Sequence, residues 1–193
     1  MTKILLTGFE PFGAATSNPS GEIVKQISAE NIVTAILPVA YAGSAERLLA
    51  LIAEHNPDVV ICLGQAEGRT QITPEKVAIN LDDARLADNE GVLRNDVKIL
   101  ESGPEAYFST LPVKEMVEAA KAKGIPAAVS LSAGAFLCNH VFYVAQNKFA
   151  GTQVLSGFIH VPLMESQAPE FPGLPTMPLD QMVTAVRAML EVL

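Results

Sequence analysis

The run Asp58-Val59-Val60-Ile61-Cys62-Leu63 constrains this chain more than any other segment. So short and nearly continuous an apolar stretch predicts a strand covered on both faces, which demands a helical layer on each side. Further β-rich runs occupy Lys3–Thr7, Asn31–Leu37, Lys76–Leu81, Pro126–Leu131 and Gln153–Ile159. Helical patterns separate them. Ser44 stands as an N-cap before Leu48, Leu49 and Ile52. Val113–Lys123 repeats that spacing and meets Gly124 as its stop. Val141–Phe149 is helical, and the last segment sets Met182, Val186, Met189, Leu190 and Leu193 on one face after Asp180. This alternation predicts one α/β domain over residues 1–193, an α/β/α sandwich around a twisted, mostly parallel (mixed) sheet.

A chain of 193 residues, 49% apolar and 18% charged, has enough material for one sizeable core. The net charge is −8 and no Lys/Arg run occurs, which argues against nucleic acid or an anionic membrane as partner. The apolar stretch around Ile4-Leu5-Leu6 is too short for a signal peptide, and no segment reaches membrane-spanning length. A cytoplasmic location is therefore expected, with Cys62 and Cys138 reduced. Two cysteines and three histidines without paired spacing predict no metal site. Asp82-Asp83 with Asp88-Asn89-Glu90 lacks calcium-loop spacing and reads as a solvated turn. The proline-rich stretch Val161–Pro178 is expected to be an irregular surface loop, packed on the core or against another subunit.

Ser132-Ala133-Gly134-Ala135-Phe136-Leu137-Cys138-Asn139-His140 passes from a predicted strand through small residues into a helix. A cysteine at a helix start meets free N–H groups that favour a thiolate and can hold an oxyanion. By position alone, Cys138 fits a small buried hydrophobe equally well. His160 ends a predicted strand, at the sheet edge where open α/β folds bind ligands; a structural histidine is the competing reading. His140 lies two residues beyond Cys138 and would not face it on a helix, so it is the poorer base. Glu75 could orient a histidine if the segment after the Gly64–Pro74 loop returns antiparallel, although a lone loop glutamate is usually solvated. Phe9 and Phe12, on the loop between Gly8 and Gly13, suit core packing or the wall of a pocket.

Several blocks in order carry a closer likeness: Gly8-Phe9-Glu10-Pro11-Phe12-Gly13 with Asn18-Pro19-Ser20, Gly64-Gln65-Ala66 with Gly68-Arg69, Glu75 through Asn80, Asp82-Asp83-Ala84-Arg85, Cys138-Asn139-His140, and Phe158-Ile159-His160-Val161-Pro162. Over nearly its whole length the chain resembles the pyroglutamyl peptidase I (pyrrolidone-carboxylate peptidase) family of cysteine peptidases. The resemblance implies a phosphorylase/hydrolase-like sandwich, often a homotetramer, that needs no cofactor and acts on peptides with an N-terminal pyroglutamate. It implies a triad of Glu75, Cys138 and His160, with Arg85 at the active site supporting the oxyanion. It further implies that Phe9, Phe12 and Phe136 enclose the pyroglutamyl ring while Asn18 and Gln65 supply polar contacts. Glu67 stands where the family usually has glycine, and Leu131, Ser132, Ala135 and Leu163 are further departures.

Overall fold

Strand β1 (Ile4–Phe9) is buried along its whole length, and so is β3 (Val59–Gln65), which contains the apolar run. In the computed structural model, which describes residues 1–193, these two form the middle of a five-stranded sheet. The other members are β2 (Ile32–Leu37), β7 (Leu155–Val161) and the two-residue β4 (Thr73–Pro74), in the order β2-β1-β3-β7-β4. All pairings are parallel except β4 with β7, which is antiparallel.

Alternate strand residues supply two separate cores, as the two-residue period of a strand requires. Leu6, Ile61, Leu63 and Ile159 face one side, with Ile23 and Val24 of α1 (Pro19–Gln26), Met116 of α3 (Val113–Ala122) and Val186 of α5 (Leu179–Leu190). Leu5, Val60, Cys62 and Phe158 face the other, with Leu48 of α2 (Tyr41–His55) and Phe142 of α4 (Leu137–Phe149). The expected sandwich with a mixed, mostly parallel sheet is the observed architecture. Burying each such Leu, Ile, Phe or Met contributes roughly 1.5–3 kcal/mol.

Several boundaries differ from expectation. Lys76–Leu81 does not join the main sheet: β5 (Val77–Ile79) pairs only with β6 (Ala106–Phe108). Pro126–Leu131 makes single bridges from Ala127 to Ile72 and from Ser130 to Glu75 but forms no strand, consistent with a leading proline that cannot donate to a ladder. Ser44 is not a cap: α2 begins at Tyr41, and the buried Ser44 hydroxyl bonds back to the Tyr41 carbonyl. Gly124 does stop α3, adopting φ +76° just past the cap residue Lys123. α1 was not anticipated, although Asn18 caps it with Pro19 in its first turn.

The Val161–Pro178 stretch is ordered on the core. It holds β8 (Leu163–Met164), a 3₁₀ turn (Glu165–Gln167) and β9 (Thr176–Met177), with Leu163, Met164, Gln167 and Met177 buried. The acidic segment is a solvated turn only in part, with Asp83, Asn89 and Glu90 exposed. Asp82 and Asp88 are buried, and Asp88 accepts backbone N–H bonds from Tyr41, Glu90 and Val92.

Candidate active site

The carboxyl ends of β3 and β7 lie side by side, with Gly64 paired to His160 and Gln65 to Val161. Antiparallel β4 then places Thr73 beside His160, and Glu75 follows immediately, its N–H donating to the Phe158 carbonyl at 2.9 Å. This return delivers Glu75 to His160: its Oε1 lies 2.7 Å from His160 Nδ1, with both side chains buried. A carboxylate only accepts, so Nδ1 carries the proton and Nε2 is left as the basic nitrogen.

A second group reaches the same oxygen. Arg69 Nη1 donates to Glu75 Oε1 at 2.7 Å and also to Thr73 Oγ1, while Nη2 donates to the Ser132 carbonyl at 3.0 Å. Burial would raise the Glu75 carboxyl, but the bond and charge of His160, together with Arg69, outweigh it and hold the group below its ordinary pKa. The His160 imidazole is lowered, chiefly by burial, with Arg69 acting in the same direction against Glu75.

Cys138 is the second residue of α4. The helix has no side-chain cap, so the first N–H groups lack intrahelical partners. The entry turn depends on Gly134 at φ +75°, and the Asp83 N–H donates to the Ala135 carbonyl at 2.8 Å. The two residues after the cysteine anchor it. Asn139, fully buried, exchanges bonds with the N–H and carbonyl of Ile79 at 2.9 Å and donates to the Leu81 carbonyl at 3.0 Å. His140 Nδ1 bonds Asp82 at 2.9 Å and turns away from the thiol's partners.

The thiol settles over a residue with no side chain. A Cβ on Gly64 would lie 2.7 Å from Cys138 Sγ and 2.6 Å from Phe158 Cζ, so only glycine leaves this space. Gly64 is the register partner of His160 and Phe158 precedes His160 by two, which puts thiol and imidazole on one face of the β3–β7 edge. Burial, and then the Glu75 charge, push the Cys138 thiol up to about 12. Burial and the Glu75 charge thus oppose the stabilisation of a thiolate that the helix start supplies, while burial lowers the imidazole.

Phe9, Phe12, Asn18, Gln65, Phe136 and Cys138 line one open pocket together with Val39 and Leu137. Phe12 and Phe136 meet at 6.3 Å between ring centroids. The Asn18 amide is largely committed to the scaffold: Oδ1 accepts from the Ser20 N–H and hydroxyl, and Nδ2 donates to the Glu10 carbonyl. One N–H of Asn18 remains.

Arg85 is not brought to these groups. Its side chain is exposed, forms no salt bridge and does not line the pocket; the guanidinium at Glu75 belongs to Arg69. Arg69 and Gly64 are the site residues that sequence reasoning left without a role. Both stood inside the quoted Gly64-to-Arg69 block, but their partners are far along the chain. No three His, Cys, Asp or Glu side chains are grouped to hold a metal ion, and no helix is long and apolar enough to cross a membrane.

The chain matches the family described as Pyroglutamyl peptidase over residues 2–193. It is 46% identical to a pyrrolidone-carboxylate peptidase of Vibrio vulnificus, covering 98% of this chain and 92% of that protein. It is 48% identical to one from an Enterobacter species, covering 100% and 92%. Among solved structures, the pyroglutamyl peptidase I of Bacillus amyloliquefaciens superposes with a TM-score of 0.94 at 42% identity, over 98% of this chain and 95% of that one. A mutant pyrrolidone carboxyl peptidase of Pyrococcus furiosus gives 0.91 at 38%, over 98% and 97%.

Proposed function

The chain belongs to the pyroglutamyl peptidase family, and we infer from that membership and from the site that it hydrolyses the amide after an N-terminal pyroglutamyl residue, as a cysteine-type omega peptidase. The observation that carries the reading is a thiol seated on Gly64, beside a histidine whose Nδ1 is held by a buried carboxylate. His160 Nε2 takes the thiol proton, a transfer made the more necessary by the upward push on Cys138, and Cys138 Sγ attacks the pyroglutamyl carbonyl. Glu75 stabilises the imidazolium that forms, and the free amides at the start of α4 receive the oxyanion. His160 then protonates the leaving amine, the acyl–sulfur bond remains, and water activated by the same nitrogen breaks it. For Arg85 we assign a part only in the substrate complex, since its guanidinium is exposed and without a salt bridge in the free protein.

The pocket suits a neutral lactam. Phe9, Phe12, Phe136, Val39 and Leu137 offer apolar walls, on which the carboxylate and ammonium of free glutamate would be left without partners. Residues 1–193 act as one domain in this reading, in the cytoplasm and as a homo-oligomer, with a tetramer expected. The exposed Phe108 (69%) and Leu131 (73%) are apolar surface that an assembly would cover. Light scattering on the purified protein tests that part. For the activity, Cys138→Ala should abolish release of a chromophore from a pyroglutamyl anilide while leaving the fold intact. Retained turnover would overturn the assignment.

A further inference from the structure

Gln167, in the 3₁₀ turn after β8, is fully buried, and its amide joins three parts of the chain. Its Oε1 accepts from the Met164 N–H at 2.9 Å, and its Nε2 donates to the Ser17 carbonyl at 3.1 Å and to Gln65 Oε1 at 2.9 Å. Two backbone groups settle which end is which. The Met164 N–H can only donate and the Ser17 carbonyl can only accept, so one orientation of Gln167 satisfies both. A nitrogen facing Gln65 then requires an acceptor, and Gln65 must offer its oxygen there and turn Nε2 the other way. Glu67 Oε1, 3.4 Å from that Nε2, agrees with this; so long a contact leaves the nitrogen's hydrogens available. Gln65 lines the ring pocket.

We propose that Gln167 is a positioning residue that fixes Gln65 as a hydrogen-bond donor toward the pocket, and so selects a ring bearing a carbonyl acceptor. The inference rests on the pyroglutamyl peptidase reading, in which that acceptor is the lactam oxygen. A reversed Gln65 amide would confront this oxygen with another oxygen. Because Gln167 also holds the Ser17 carbonyl, it joins the two walls that carry Phe12 and Gln65.

The test substitutes Gln167→Glu, which keeps an acceptor for the Met164 N–H but replaces the donor nitrogen with oxygen, favouring a reversed Gln65. Two anilides are compared, pyroglutamyl and its cyclopentanecarbonyl analogue, which keeps the ring and lacks the lactam. The variant should lose about ten- to a hundredfold in kcat/KM on the pyroglutamyl anilide, mostly through KM. Its rate on the analogue should change by less than about threefold, so discrimination collapses. In a Gln65→Met background, Gln167→Glu should add no further loss, because the pathway through Gln65 is already gone. Equal losses on both anilides, full additivity with Gln65→Met, or an unchanged rate in the folded variant would each overturn the proposal. If Gln167→Glu does not accumulate, Gln167→Met is read by the same ratio. A wild type that does not cleave the pyroglutamyl anilide at all sinks the activity reading instead. The amide orientation then stands or falls on the Gln65 side-chain N–H resonances, which must move in Gln167→Glu.

Discussion

Two histidines in this molecule stand in nearly the same company. His160 Nδ1 bonds buried Glu75 at 2.7 Å, and His140 Nδ1 bonds buried Asp82 at 2.9 Å. Each carboxylate oxygen so used also receives an arginine at 2.7 Å, Arg69 in one case and Arg94 in the other. Each carboxylate leaves its second oxygen buried without a partner. Each imidazole lies against an aromatic ring, Phe158 at 4.8 Å or Tyr41 at 5.4 Å. The difference is the sulfur. His160 is the cross-strand neighbour of the glycine over which Cys138 sits, whereas His140 meets the edge of Tyr41 and pins the 82–97 segment to α4. A carboxylate–histidine–arginine group is thus not a catalytic device in itself; what it can do depends on what its remaining nitrogen faces.

The same substitution at both histidines should separate them most widely. His160→Gln should cost about 10²–10⁴ in kcat through loss of the base. His140→Gln should keep the rate within about tenfold and instead lower stability by about 1–3 kcal/mol, as expected when a buried charge is poorly partnered. Anilide kinetics with thermal unfolding on both variants decides it, and equal rate losses with intact folds would erase the distinction. Gly64→Ala comes next, since the space it fills is what separates the two groups. Displacing the thiol by about an ångström should cost roughly a hundredfold in kcat, and the crowding about 1–3 kcal/mol. A fully active alanine variant would remove the steric argument.

Smaller effects separate the two arginines. Arg69 lowers His160, so Arg69→Met should raise the pH at which activity falls on the acid side, with a loss of about tenfold at neutrality. Arg94→Met should reduce the melting temperature without moving that limb. Last, the wild-type acid limb of kcat/KM should lie below about 6.5, the ordinary histidine value, because His160 is depressed. The same groups link to stability. Glu75 and His160 both have folded pKa values below their unfolded ones, so the folded state binds fewer protons. Stability should therefore fall as pH drops, first through the histidine range and then through that of Glu75. Urea unfolding from about pH 3 to 8 reads both, and stability flat over that window would contradict the assignment.

The chain announces β1, β2, β3 and β7 through local hydrophobic pattern, and with them the edge where the proposed site lies. It conceals what depends on partners far away. Pro126–Leu131 has strand composition, yet at the sheet's border it finds only single bridges. The start of α4 could not be placed at Leu137 by a capping signal because Phe136 provides none, and the uncapped amides are what the thiol's helix end offers. Asn18-Pro19 did carry the local signal for α1. Glu75, Cys138 and His160 were nameable from their motifs. The service of Gly64 depends on a sulfur 74 positions along, and Gln167, inside an expected surface loop, is defined by a residue 102 positions earlier.

The upward push on the Cys138 thiol has a consequence for the protein's life outside catalysis. Peroxide, like alkylating reagents, attacks thiolates, and the sulfenic, sulfinic and sulfonic acids follow from that first step. A sulfur that burial and the Glu75 charge hold toward the thiol form is a slow target for both. Inactivation by peroxide should then be slower at Cys138 than at an exposed thiol, and slower still with a ring held in the pocket.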